Sequence, residues 1–288
     1  MLVGTFYADV WMPHQEARLR ACTIDGYRCK WERHIAPAFA PAELSEVGVE
    51  AIERWLASIP TRGAADGAYA VLRAMLRKAV RWGYLDADPT VRVERPPRRL
   101  ALKDPVLDAA GVNRLLRGFW GHELEAWLIC SVCLGLRREE GCGLEWRDVD
   151  LRDGRVRVRR VVQVVAGRVV VEEPKTELSA REVWLPRFAV ARLRELKGEG
   201  RLVGGMDPNA VARRYKAHCR RQGLPWVPPK DLRHTWATTA LAAGVDVAVV
   251  SRALGHTDIS TTARYYLRPD SQVLKDAQRT WAMAVIGR

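Results

Sequence analysis

Residues 253–267 read "ALGHTDISTTARYYL", and in that stretch Tyr265 stands nine positions after His256. Three upstream segments carry groups that fit the same task. Arg137 lies in "LGLRREEGCGLEWRDVD" (134–150), Lys175 in "PKTELSAREVWLP" (174–186), and Lys230 and Arg233 in "PPKDLRHTWAT" (228–238). A phosphodiester under attack carries negative charge on two non-bridging oxygens, where positioned cations stabilise most. Arginine is the best such donor, because its planar fork binds phosphate oxygens in pairs. A lysine or histidine can protonate a departing alcohol, and a tyrosine can bond covalently to phosphorus. Each group alone has a plainer explanation. An arginine of a basic chain is usually a surface residue, a histidine after a glycine is often a helix cap, and "RYY" on a helix is a routine amphipathic pair.

The whole chain narrows the partners. At 288 residues it has room for one large or two modest domains. Lysines and arginines number 47 against 34 acids, a formal net charge of +13. No fold needs that excess, which points to a polyanion. No apolar run has the length of a membrane span, and "MLVGTFYADVWMPHQ" lacks the marks of a signal peptide. Nucleic acid in the cytoplasm is therefore the expected setting, with no membrane. The six cysteines are scattered, and Cys130 and Cys133 sit inside the apolar "WLICSVCLGL". Buried free thiols are expected, with neither disulfides nor a metal site.

Residues 1–91 read as short helices. "TIDGYRCKWERHI" suggests an N-cap at Thr23, "VEAIERWLASIP" ends at Pro60, and "GAYAVLRAMLRKAVRWG" stops at Gly83. In the last, Leu72, Met75, Leu76, Ala79 and Val80 form a core stripe. Arg73, Arg77 and Arg81 recur every four residues on another face, with Lys78 nearby and no acid between Asp66 and Asp86. A solvated face normally mixes signs, so this stripe is a candidate DNA contact. Residues 92–103, with Arg98 and Arg99, look like a basic interdomain linker.

A second domain is expected over 104–288. It opens with helices; "GRVRVRRVVQVV", "GRVVVEE" and "REVWLP" then suggest a small three-stranded antiparallel sheet. Helices return in "DPNAVARRYKAHCRRQG", where Asp207 caps, Pro208 suits the first turn and Gly223 stops the helix. That helix carries Arg213, Arg214 and Lys216, a second candidate DNA-facing set. The fold class is thus mainly α with a small β part (α+β).

Taken together, the four segments resemble the signature boxes of the tyrosine recombinases, the phage-integrase family, in order and spacing. Arg137 falls on the arginine of the first box, with Glu140, Leu144 and Asp148 three, seven and eleven residues after it. Glu140 and Asp148 read as structural supports. The second box, usually H-x-x-R-H, here reads Lys230-Asp231-Leu232-Arg233-His234. Arg233 takes the second clamp position, while Lys230 replaces the usual histidine; a lysine still stabilises charge as a cation. His256 matches the third-box donor to the phosphate. "PKT" resembles the hairpin turn whose lysine, here Lys175, acts as general acid. The interval from "LGH" selects Tyr265, rather than Tyr266, as the nucleophile.

The resemblance implies a helical core-binding domain and a mostly helical catalytic domain that together grip double-stranded DNA at specific sites. The implied chemistry cuts and rejoins DNA through a 3′-phosphotyrosine, with no metal, ATP or other cofactor. It also implies four protomers on two sites, and possible accessory DNA-bending or directionality proteins. Integration, excision or resolution of mobile or circular DNA would be the outcome, in a bacterial or phage-encoded, nucleoid-associated protein. The extra N-terminal arm-binding module of larger members is not expected here. In the tail 271–288, Val273, Leu274, Ala277, Trp281, Ala284 and Val285 form an apolar stripe that family members pass to a neighbouring protomer. Two rivals stay open: a type IB topoisomerase-like enzyme, and a DNA-binding protein of this fold with weakened catalysis, suggested by Lys230.

Overall fold

A computed structural model describes residues 1–94, 106–174, 179–256 and 258. Two compact units divide the chain, with the main boundary between Ala101 and Leu102. The first unit is helical. It opens with Val3–Thr5, a π-helical stretch Phe6–Trp11, and Met12–Glu16. Helix α1 (Ala21–Lys30) starts before the expected cap: Arg20 is the extended residue, and Thr23 already donates its N–H to the Arg20 carbonyl at 2.9 Å. Helix α2 (Val49–Ser58) buries Ile52, Trp55 and Leu56.

Helix α3 (Arg62–Arg81) carries the longest stripe of this core. Thr61 caps it, and it stops where Gly83 adopts φ 77°, with Tyr84 N–H returning to the Ala79 carbonyl at 2.9 Å. A residue with a Cβ resists that left-handed conformation, so a glycine ends the helix cheaply. Leu72, Met75, Leu76 and Ala79 are fully buried and Val80 partly so. Arg73, Arg77 and Arg81 lie on the exposed side. Stacked Tyr7 and Trp31 rings, 3.8 Å between centroids, tie the opening segment into the same core.

The second unit begins its regular structure with α4 (Ala109–Gly118), capped by Asp108, which accepts from Gly111 N–H at 2.7 Å. Helix α5 (Glu125–Leu134) is buried nearly all round, so its sequence is apolar without a clear stripe. Burial pushes the Cys133 thiol up to about 12 and Cys130 higher still, and all six cysteines are free thiols. Helix α6 (Arg138–Gly143) is short. Strands β1 (Val149–Asp150), β2 (Arg155–Val158), β3 (Val161–Val165), β4 (Arg168–Glu172) and β5 (Arg181–Trp184) follow. Helices α7 (Arg187–Leu196), α8 (Pro208–Gln222), α9 (Pro229–Ala242) and α10 (Val247–Leu254) complete the described part. The expected cap and stop of α8 are present: Asp207 accepts from Asn209 and Ala210, and Gly223 adopts φ 59°.

The strands are arranged differently from the sequence expectation. A three-stranded antiparallel sheet exists, but its order is β1-β2-β5, while β3 and β4 form a separate two-stranded ribbon. The run 154–165, read as one strand, breaks at Arg159 and Arg160. Both turn onto Asp148, whose side chain is 1% exposed: Arg159 Nη2 lies 2.6 Å from Oδ1 and Arg160 Nη2 2.8 Å from Oδ2. A buried carboxylate must be paired, and the backbone that delivers two adjacent arginines to one point leaves the ladder. The ribbon is closed by Ala166 (φ 47°) and Gly167 (φ 76°), the positive-φ pair that suits a two-residue hairpin. Among the described residues no helix is long and apolar enough to cross a membrane.

Candidate active site

The strand register of β5 decides what reaches the centre of this unit. Val183 and Leu185 are buried, whereas Glu182 and Trp184 are exposed. Alternation therefore puts Arg181 on the inward face, where its side chain is only 7% exposed. It finds a buried acid there. Arg181 Nη1 donates to Glu140 Oε1 at 3.1 Å and Nη2 to Oε2 at 3.0 Å. Its Nε donates to the Ala253 carbonyl at 2.6 Å, and Nη1 also to the Ser179 carbonyl at 3.1 Å.

Glu140 is 1% exposed and serves two further arginines. It accepts the Arg137 backbone N–H at 2.9 Å and Arg137 Nη1 at 2.6 Å. Arg233 Nη1 stands 3.9 Å from its Oε2. Burial works to raise the Glu140 pKa, but charge and hydrogen bonding from Arg181, then the charges of Arg137 and Arg233, bring it down to about 2. The carboxylate stays ionised as the hub of three cations.

Arg233 joins two helix ends. Its Nη1 donates to the Gly135 carbonyl at 3.0 Å and its Nη2 to the Leu254 carbonyl at 2.6 Å. Gly135 closes α5 at φ 60°, and a Cβ there would stand 2.9 Å from atoms of both Trp236 and Leu254. Only glycine lets the chain turn from α5 to Arg137 against those two side chains. Leu254 in turn closes α10, two residues before His256. Burial lowers the His256 pKa to about 4, helped by the charges of Arg233, Arg137 and Arg181, so the imidazole is neutral at pH 7.

The sequence-selected groups thus separate into three sets. Arg137, Arg233 and His256 come together around Glu140. Arg137 keeps a 39% exposed side chain, and among the described residues its guanidinium meets a single side-chain partner, Glu140, through Nη1. Its remaining donors are open to an incoming anion. Lys230, in the first turn of α9, is 69% exposed, with Nζ 3.8 Å from the buried Asp231 carboxylate. Lys175, Tyr265, Tyr266, Arg98, Arg99 and the tail 271–288 lie outside the described residues. Beside the cluster is a cleft of about 1050 Å³, lined by His256 and Arg181 together with Trp184, Trp236 and Val249.

Arg181 was not among the sequence candidates. Its signal was there: a charged residue at the core register of "REVWLP", which demands a buried acid. The candidate DNA contacts on both helices are exposed, apart from half-buried Lys78. On α3, Arg73, Arg77 and Arg81 face outward, and Lys78 Nζ sits 4.5 Å from the Trp82 ring centroid. On α8, Arg213, Arg214 and Lys216 are exposed; Arg214 is held by Glu123 at 2.5 Å, and Lys216 lies 5.0 Å from the Trp226 ring.

Comparison with known proteins identifies the family. The Phage integrase family model matches residues 123–272. A tyrosine recombinase XerC of Pseudomonas aeruginosa (strain LESB58) is 30% identical over 276 residues, covering 89% of this chain and 88% of that protein. A XerC-like tyrosine recombinase of Caldanaerobacter subterraneus subsp. tengcongensis is 26% identical over 232 residues; the match covers 68% of this chain and 59% of that relative's length. Among solved structures, the Tn1549 transposon integrase in complex with transposon right end DNA superposes with a TM-score of 0.79 at 16% identity, covering 98% of this chain and 100% of that one. A lambda integrase dimer bound to a COC′ core site gives 0.70 at 16% identity, covering 94% and 97%. At those identities the structural likeness is one of fold, and the sequence matches carry the family: the chain belongs to the phage integrase family and is a site-specific tyrosine recombinase.

Proposed function

We propose that this chain cuts and rejoins duplex DNA through a 3′-phosphotyrosine on Tyr265. The observation that carries this reading is the convergence of Arg137, Arg181 and Arg233 on Glu140 beside a neutral His256. Arg137 offers its open guanidinium donors to one non-bridging oxygen of the scissile phosphate. Arg233 adds fixed positive charge, and neutral His256 donates a hydrogen bond to the phosphate while its other ring nitrogen stays free of a proton. The Tyr265 hydroxyl gives its proton to water as its oxygen bonds to phosphorus, and the departing 5′ oxygen takes a proton from Lys175. A 5′ hydroxyl from a partner strand then reverses the step, so the phosphotyrosine conserves the bond without a cofactor. Lys230 serves as an exposed cation for the DNA rather than as a proton acceptor.

The two units, joined through residues 92–103, act as the two halves of a grip on DNA. The first uses Arg73, Arg77, Lys78 and Arg81; the second uses Arg213, Arg214 and Lys216. Four protomers on two sites form the working assembly; a lambda integrase of similar fold has been solved as a tetramer bound to a Holliday junction. The protein works in the bacterial cytoplasm on the DNA of a mobile or circular element.

A pool of nicked duplexes with a randomised core, incubated with the wild-type chain, should yield SDS-stable protein–DNA adducts whose enriched sequence becomes the substrate. Tyr265→Phe should abolish the adduct and leave affinity nearly intact, because phosphate contacts dominate binding. Tyr266→Phe should retain it. An adduct that survives Tyr265→Phe sinks the reading, and the absence of any wild-type adduct would favour the weakened DNA-binding protein.

A further inference from the structure

The mechanism leaves one buried cation without a chemical task. Arg181 donates through all three guanidinium nitrogens, to Glu140, Ala253 and Ser179, and is 7% exposed. Four of its five N–H donors are engaged and the side chain is buried, in contrast to Arg137, whose side chain is 39% exposed. What it touches is more telling. Ser179 precedes β5 and stands four residues after Lys175. Glu140 holds Arg137. Ala253 is in the last turn of α10, three residues before His256. One planar fork therefore meets the residue just before β5, the carboxylate under the first arginine, and the backbone before the histidine.

We propose that Arg181 is a positioning residue that fixes the start of β5, Arg137 and the His256 turn in one mutual geometry. It acts through Glu140 and two backbone carbonyls, not on DNA. A guanidinium suits this because its donors lie in one rigid plane, and bidentate pairing to a carboxylate sets angle as well as distance. A lysine at the same place could hold the charge but only one direction at a time. Misplacing a catalytic group by about 1 Å is enough to slow a reaction on the order of hundredfold.

The inference rests on the Tyr265 reading, and its test separates the two. The substrate is the nicked duplex enriched by the wild-type chain, with Tyr265→Phe as control. Arg181→Ala should lower the adduct rate at saturating DNA on the order of hundredfold. The DNA concentration for half-saturation should move less than about threefold, because phosphate contacts are untouched. The acidic limb of the rate profile should shift upward, since one of the charges opposing protonation of His256 is gone. In a Glu140→Gln background the same change should add less than about tenfold, because the two residues act as one unit. Arg181→Lys should recover only part of the rate.

A folded Arg181→Ala chain with the wild-type rate and an unmoved acidic limb would overturn the inference, as would a loss confined to affinity. If Arg181→Ala does not fold, Arg181→Lys decides: a wild-type rate overturns the inference, and a tenfold or larger loss at unchanged affinity supports it. Wild-type adduct that persists in Tyr265→Phe would instead remove the reading beneath it.

Discussion

Glu140 and Asp148 are both carboxylates with 1% exposed side chains, and both gather arginines, yet they build different things. Asp148 takes its two cations from neighbouring positions 159 and 160, with Glu145 sharing Arg160. Its partners are local, and the outcome is local: the strand run ends and a separate ribbon begins. Glu140 takes its three from positions 137, 181 and 233, on three different elements, and the outcome is a shared centre beside His256. The lesson is that a buried acid is read by where its partners come from. Partners drawn from one segment shape the backbone; partners drawn from several elements assemble a site.

The sharpest way to break the comparison is to remove one arginine from each. Arg137→Ala should slow adduct formation on the order of hundredfold or more, the usual scale for a lost transition-state donor. Arg159→Ala, 51% exposed and tied only to the local carboxylate, should change the rate less than about threefold by that same measure. Equal losses on the nicked substrate would erase the distinction.

Neutralising the acids comes next. Glu140→Gln and Asp148→Asn should each cost roughly 3–5 kcal/mol in urea unfolding, because each strands buried arginine charge. Below the melting range of both, only Glu140→Gln should also lose cleavage. An Asp148→Asn chain as inactive as Glu140→Gln at matched folded fraction would show that both centres serve the chemistry.

The pH dependence is a smaller and graded effect. His256 titrates near 4 when folded, against 6.5 for a free imidazole. Its neutral form is favoured by the fold, so this contribution to stability is complete above pH 6.5 and is lost as pH falls through 4. Glu140, held near 2 against 4.5, contributes in the same direction over a lower window. Adduct formation limited by neutral His256 should therefore stay level from pH 8 to 5 and fall with a midpoint near 4. A midpoint near 6.5 would mean that neither burial nor the neighbouring arginines depress this ring.

The weakest effect concerns exposed cations that no carboxylate gathers. Replacing Arg73, Arg77 and Arg81 together should flatten the salt dependence of DNA affinity by about one unit per lost phosphate contact. Arg214→Ala should do less, because Glu123 already holds that charge. An unchanged slope for the triple variant would return the α3 stripe to ordinary solvated surface.

Much of this was legible in the sequence where local chemistry settles the outcome. Gly83 and Gly223 end their helices because a left-handed residue is needed there, and Asp207 caps because its side chain reaches the first free N–H groups. The meeting of Arg137, Arg233 and His256 was legible only as a pattern of spacings, since no local rule joins residues a hundred positions apart. The strand break was hidden for a physical reason: alternation over 154–165 fits a strand, and only the fold reveals that Asp148 lies within reach of Arg159 and Arg160. Arg181 was hidden by abundance, one arginine among many, although its register with Val183 and Leu185 marked it as inward. Thr23 misled because a threonine before an apolar residue reads as a cap even when the helix has already begun.

The turn at Gly135 has a bearing on how damaged copies of this gene should be judged. An alanine there carries no charge, removes no donor and leaves Arg137, Arg233, His256 and Tyr265 all encoded. Its added methyl would nevertheless press on Trp236 and Leu254 at 2.9 Å, forcing a backbone at φ 60° to move. Those two side chains belong to the helices that bear Arg233 and lead into His256. One codon outside the reacting set should thus weaken the allele, and a survey that scores alleles by their reactive residues alone would count it as intact.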